Sequence, residues 1–213
     1  MESAIAILFQ LAILIFSVVI HEVSHGLAAN ALGDPTAKYA GRLTLNPAKH
    51  LDPVGSVLVP LASFFLGGII LGWAKPVPYN PYYLRVRNKE LGSAIVGAAG
   101  PAANIAIAVV FGILVRFSDA WAPAFGPSGL ALLGIVGAIA LMNLVLAVFN
   151  LVPIPPLDGS KVLFSILPQR WQGLRSMLEQ YGFFLLLLFI FSFAGALRPI
   201  VAFLFRVITG VAF

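Results

Sequence analysis

The chain has 213 residues, of which 60% are hydrophobic and 10% charged, and its mean hydropathy is +0.99. A water-soluble domain carries about 25% charged residues, so this composition excludes an ordinary soluble globule and indicates one bundle of membrane helices. Cysteine is absent, which excludes disulfides, thiolate metal ligands and cysteine nucleophiles. The net charge of +5 lies in short loops between apolar runs, a pattern of membrane topology with no signature of nucleic-acid binding.

The first apolar run covers residues 3–31, long enough to cross a bilayer, and Gly33-Asp34-Pro35 stops it. It lacks the basic n-region and the short apolar core of a cleavable signal peptide. Inside it stands His21-Glu22-Val23-Ser24-His25. Side chains four apart on a helix share a face, so His21 and His25 are expected to hold two positions on one zinc ion. Glu22 is expected to take a proton from a metal-activated water. Ionisable groups at bilayer depth are costly and point to function. At 1.5 Å per residue His21 lies roughly 27 Å from the start of the run, close to one membrane surface.

Further apolar runs follow at 55–71, 91–117, 128–152, 181–196 and 199–213. The basic segments 38–49 and 75–89 flank the run 55–71, which is short and broken by Pro60 and Gly67-Gly68. A full crossing there would put the two basic segments in opposite compartments, against the positive-inside rule. The expectation is therefore a re-entrant segment at 55–71, with residues 33–90 cytoplasmic and the N-terminus outside. Residues 39–45 alternate weakly and can offer an exposed strand edge that would hold a substrate extended. A plain surface loop fits the same residues.

The runs 91–117 and 128–152 then go out and return, and the return delivers Asn150-Leu151-Val152-Pro153-Ile154-Pro155-Pro156-Leu157-Asp158-Gly159 to the level of the histidines. Asp158 is the best-placed third zinc ligand, although a helix N-cap or turn is the bland alternative. Gly100, Asn104, Ala108 and Gly112 recur every four residues as a small-residue stripe for close helix approach. Asn104 and Asn150 are candidates to bind substrate backbone or a developing oxyanion, and interhelical hydrogen bonding is the alternative for each. His50 falls outside the helical spacing and is expected to be structural. Residues 160–180 suit an amphipathic interfacial helix.

Four motifs in order carry a resemblance: His21–His25, then Asn46-Pro47-Ala48-Lys49-His50-Leu51-Asp52-Pro53-Val54-Gly55, then Gly100-Pro101-Ala102-Ala103-Asn104, then Asn150 through Leu157-Asp158-Gly159. Together, over about residues 5–165, they resemble the site-2 protease family of intramembrane zinc metalloproteases. The resemblance is to a minimal form without a PDZ or CBS domain. It implies one zinc per chain on His21, His25 and Asp158, with Glu22 as the catalytic carboxylate. It also implies a small sheet near residues 39–45, and as substrate a transmembrane helix of another protein, often a membrane-held regulator.

The expected fold is an all-α polytopic membrane bundle: a three-helix catalytic core over 1–165 with a small cytoplasmic-side β element and a re-entrant segment, followed by C-terminal helices over 166–213. The expected setting is the lipid bilayer of a prokaryotic cell, with the active site near the cytoplasmic face. Two rivals are a metal-ion transporter, which would spread acidic and histidine residues across the membrane, and a catalytically silent scaffold. The clustering of polar groups near one face argues against the first. Intact Glu22 and all three ligands argue against the second.

Overall fold

A computed structural model describes residues 2–52, 55 and 74–211, and among these the only regular secondary structure is helical. Six helices define the architecture: α1 (Glu2–Ala31), α2 (Lys89–Arg116), α3 (Ser128–Asn150), α4 (Gly159–Ile166), α5 (Gln172–Ser192) and α6 (Leu197–Thr209). Four of them contain stretches long and apolar enough to cross a membrane: Ile5–Ala31, Lys89–Arg116, Ser128–Asn150 and Gln172–Ser192. Their outward faces are greasy. On α1 alone Ile5, Ile7, Leu8, Phe9, Leu11, Ile15 and Phe16 are exposed, the surface expected to meet lipid.

Local chemistry sets the helix ends. Beyond α1, Gly33 takes φ 98°, and Pro35 lacks the N–H to continue the helix. Asn88 starts α2, its Oδ1 accepting from the N–H groups of Glu90 at 3.0 Å and Leu91 at 3.1 Å. α2 is the centre of the bundle, packing against α1, α3, α4 and α6. Its predicted small-residue stripe is realised, since Gly100, Asn104, Ala108 and Gly112 are all buried. Lipid tails are as apolar as leucine, so such helices associate through close packing and interhelical hydrogen bonds. Ala108 packs with Ala140 and Leu144 of α3 and Val201 and Phe205 of α6.

Three sequence expectations require comment. Residues 39–45 form no strand: the short helix Thr36–Tyr39 runs into a turn, and Gly41 at φ 64° bends the chain. Pairing cannot propagate through that bend, and the Arg42 side chain turns away to bond the carbonyls of Lys75 at 2.5 Å and Pro76 at 3.4 Å. The re-entrant segment 55–71 lies outside the described residues, apart from Gly55. Its flanks meet, with the Lys75 N–H donating to the His50 carbonyl at 2.9 Å. Finally, residues 160–180 are not one amphipathic helix. α4 stops before Pro168, and from Gln172 a single helix continues to Ser192.

Candidate active site

His21 and His25 stand one turn apart on α1, their rings edge to face with centroids 4.6 Å apart. Asp158 reaches them from the break between α3 and α4, where the chain folds so tightly that a Cβ on Gly159 would meet the Leu151 carbonyl. All three side chains are buried. The two Nε2 atoms are 3.0 Å apart, and each is 3.0 Å from Asp158 Oδ2. Among the described residues these form the one group of three or more His, Cys, Asp or Glu donors with ligand atoms close enough for a single metal ion.

Partners on the far side of each ring assign the tautomers. His25 Nδ1 lies 2.7 Å from the Val96 carbonyl, which can only accept. His21 Nδ1 lies 2.6 Å from Asn104 Oδ1. The Asn104 amide nitrogen is spent on Asn143 Oδ1 at 2.7 Å and the Ser17 carbonyl at 3.3 Å, which fixes its oxygen toward His21. Both Nδ1 atoms therefore carry hydrogen and both Nε2 atoms present lone pairs. Two lone pairs and a carboxylate oxygen converging at 3.0 Å repel one another unless a cation lies among them. Two imidazoles and one carboxylate form a donor set that suits a catalytic zinc, each His held from behind.

Lys161 sets the charge on this side: burial raises the Asp158 carboxyl, and the adjacent Lys161 ammonium opposes that by favouring the carboxylate. Asp158 is thus an anion. Its second oxygen, Oδ1, accepts from Lys161 Nζ at 2.9 Å.

Gly100 is part of the same design. A Cβ there would lie 2.5 Å from His25 Nε2 and 2.7 Å from His21 Cε1. Gly100→Ala is therefore expected to displace both rings and weaken metal binding about 10–100-fold, as changes just outside the ligands commonly do. A chelator competition on purified protein measures it, and an unchanged affinity would contradict this packing.

Glu22 sits beside the cluster, its Oε2 accepting from the Val77 N–H at 2.7 Å. A cavity of about 210 Å³ opens there, lined by His21, Glu22, His25, Pro76, Val77, Tyr79, Val96, Asn150, Pro156, Asp158 and Lys161. The irregular segment 74–80 forms one wall. It is fixed by Arg42 on the Lys75 carbonyl, Glu22 on the Val77 N–H and buried Asp34, whose Oδ2 accepts from the Asn80 N–H at 2.6 Å. Pro76 and Pro78 have no N–H, so Val77 supplies the backbone donor of this short stretch.

Asn150 lines the cavity and donates to the Leu146 carbonyl at 2.9 Å. One amide hydrogen remains for another acceptor. Asn104 is fully buried, absent from the cavity wall, and committed at both ends of its amide, so it offers no spare hydrogen to the cavity in this structure. It positions His21 and ties α1, α2 and α3 together. His50 is not part of the metal-donor group and donates from Nε2 to the Thr44 carbonyl at 2.8 Å. Sequence reading missed Lys161, three residues after Asp158, where the i, i+3 spacing was an available signal. It also missed Ser17, whose hydroxyl accepts from Asn143 at 2.9 Å. Val77 had no signal, since its contribution is a backbone N–H.

Residues 127–192 match the sequence profile of peptidase family M50. YwhC of Bacillus subtilis, provisionally named a zinc metalloprotease, is 36% identical over 189 residues, covering 86% of this chain and 80% of YwhC. The chain belongs to peptidase family M50, the site-2 protease family. Rip2 of Mycolicibacterium smegmatis, with the same provisional name, is 34% identical to this M50 peptidase over 181 residues, 84% of the chain and 64% of Rip2. The zinc metalloprotease MJ0392 of Methanocaldococcus jannaschii is 29% identical over 171 residues, 80% of the chain and 37% of the relative. No solved structure matches.

Proposed function

We propose that this M50 peptidase is an intramembrane zinc endopeptidase that cleaves the transmembrane segment of another membrane protein, in the setting of regulated intramembrane proteolysis. His21, His25 and Asp158 hold one zinc, through His21 Nε2, His25 Nε2 and Asp158 Oδ2. The observation that carries the reading is this donor set, with His21 and His25 inside a helix long and apolar enough to cross a membrane and Asp158 brought against them. The relatives' names supply zinc and proteolysis. The buried donor set, with both Nδ1 atoms already engaged, fits that metal.

Zinc, when bound, acidifies water and polarises a peptide carbonyl. The remaining steps belong to the chain. Glu22 holds one carboxylate oxygen on the Val77 N–H, which fixes its orientation and leaves the other oxygen to accept the attacking water's proton. Glu22 then returns that proton to the leaving amine. Asn150 contributes its spare amide hydrogen to the substrate backbone or the oxyanion. Tyr79, Pro156 and Lys161 line both the cavity of about 210 Å³ and a larger one of about 490 Å³, the route by which water would reach the site.

The test is reconstitution in liposomes with a panel of single-span substrates, with zinc flux followed in parallel. Cleavage without flux is expected. Flux without cleavage would instead support a metal-ion transporter.

Topology follows from the same reading: residues 33–90 face the cytoplasm, with 55–71 re-entrant and the active site near that face. The contact of Lys75 with His50 supports it, since both flanks of the segment meet at one end of the bundle. Single cysteines at Lys49 and Arg87 should react with an impermeant reagent from the same side. Labelling from opposite sides would overturn the hairpin.

A further inference from the structure

We infer that Lys161 is a positioning residue that keeps Asp158 a one-oxygen ligand, and so keeps a metal position free for water. The inference rests on zinc being held by His21, His25 and Asp158. The two oxygens of Asp158 have separate tasks. Oδ2 is the atom 3.0 Å from both imidazole Nε2 atoms, whereas Oδ1 is 2.9 Å from Lys161 Nζ. A catalytic zinc needs three protein donors and one open position. A carboxylate freed to offer both oxygens would fill that position itself.

Lys161 is built to prevent this. Its stem lies in a space left by Gly97 of α2, where a Cβ would come within 2.8 Å of Lys161 Cδ. Its ammonium sits 5.5 Å from the centre of the Tyr79 ring, the distance of a cation–π contact. The side chain is thus fixed by α2, by the 74–80 wall and by Asp158 itself. An exposed i, i+3 ion pair on a helix has no such surroundings. Here Lys161 borders both the 210 Å³ and the 490 Å³ cavities.

The experiment compares the full chain with Lys161→Met and Lys161→Arg, each purified with zinc and, separately, exchanged with cobalt(II). In Lys161→Met zinc should stay at one per chain and cleavage should fall about 10–100-fold, the usual effect of altering a group behind a ligand. The visible absorption of cobalt should weaken at the same time, because five-coordinate cobalt absorbs less strongly than four-coordinate. Lys161→Arg should restore both absorption and cleavage, since a guanidinium can hold the same oxygen. Cobalt absorption unchanged in Lys161→Met would overturn the inference. So would zinc lost in proportion to activity, or an arginine variant that behaves like methionine. Absence of zinc from the unaltered protein would instead sink the zinc reading beneath it, and the two failures are separable.

Discussion

Glu22→Gln should abolish measurable proteolysis while leaving one zinc per chain. Glutamine keeps the length of the side chain and, through its carbonyl oxygen, the acceptor for the Val77 N–H found at 2.7 Å from Glu22 Oε2. What it removes is the second oxygen able to take a proton. Groups in this role contribute about 10²–10⁴-fold, and water attacking an amide lies at the demanding end. The ligand atoms themselves belong to His21, His25 and Asp158, so metal content should not change. Rates and zinc measured on one preparation check it. A Glu22→Gln protein that cleaves as fast as the original would remove Glu22 from the chemistry. One that has lost its zinc would instead mean Glu22 helps hold the metal.

Asp158→Ala should lose zinc on dialysis and lose all cleavage. Two imidazole nitrogens alone do not make the three-donor set of a catalytic zinc. The substitution also leaves Lys161 without its partner at 2.9 Å, placing an uncompensated positive charge beside the site. Affinity should therefore drop beyond the roughly 10–100-fold seen when only a supporting group is altered. Asp158→Asn offers a sharper comparison, because it keeps the shape and removes the charge. Stoichiometric zinc in Asp158→Ala would show that the third ligand lies elsewhere.

Much of this was legible in the chain. Long apolar runs must become helices in hydrocarbon, where every backbone group needs an internal partner, and α1, α2 and α3 follow from that requirement. The His21–His25 spacing fixes a shared face. Asp158 was singled out because zinc needs a third protein donor and this carboxylate follows three prolines where the chain returns to the level of the histidines. What spacing could not show depended mostly on contacts distant in sequence. Spacing put Asn104 on the buried face but could not reveal that His21 Nδ1, 83 positions earlier, would claim its oxygen. The strand expected at 39–45 was lost to Gly41 at positive φ and to Arg42 bonding the carbonyls of 75 and 76. Lys161 was not singled out by sequence, and what fixes it, the Tyr79 ring and the space left by Gly97, lies far from it along the chain.

The most direct measurement is the position of the bond that is cut. A single-span substrate is incubated with the protein in liposomes, and both products are sequenced by mass spectrometry. His21 and His25 lie within the Ile5–Ala31 stretch of α1, ten and six residues before its end, or roughly 15 and 9 Å along the axis at 1.5 Å per residue. The scissile bond should therefore fall inside the substrate's apolar segment, within its cytoplasmic half. A cut confined to the water-soluble flank of the substrate would contradict intramembrane proteolysis by this site.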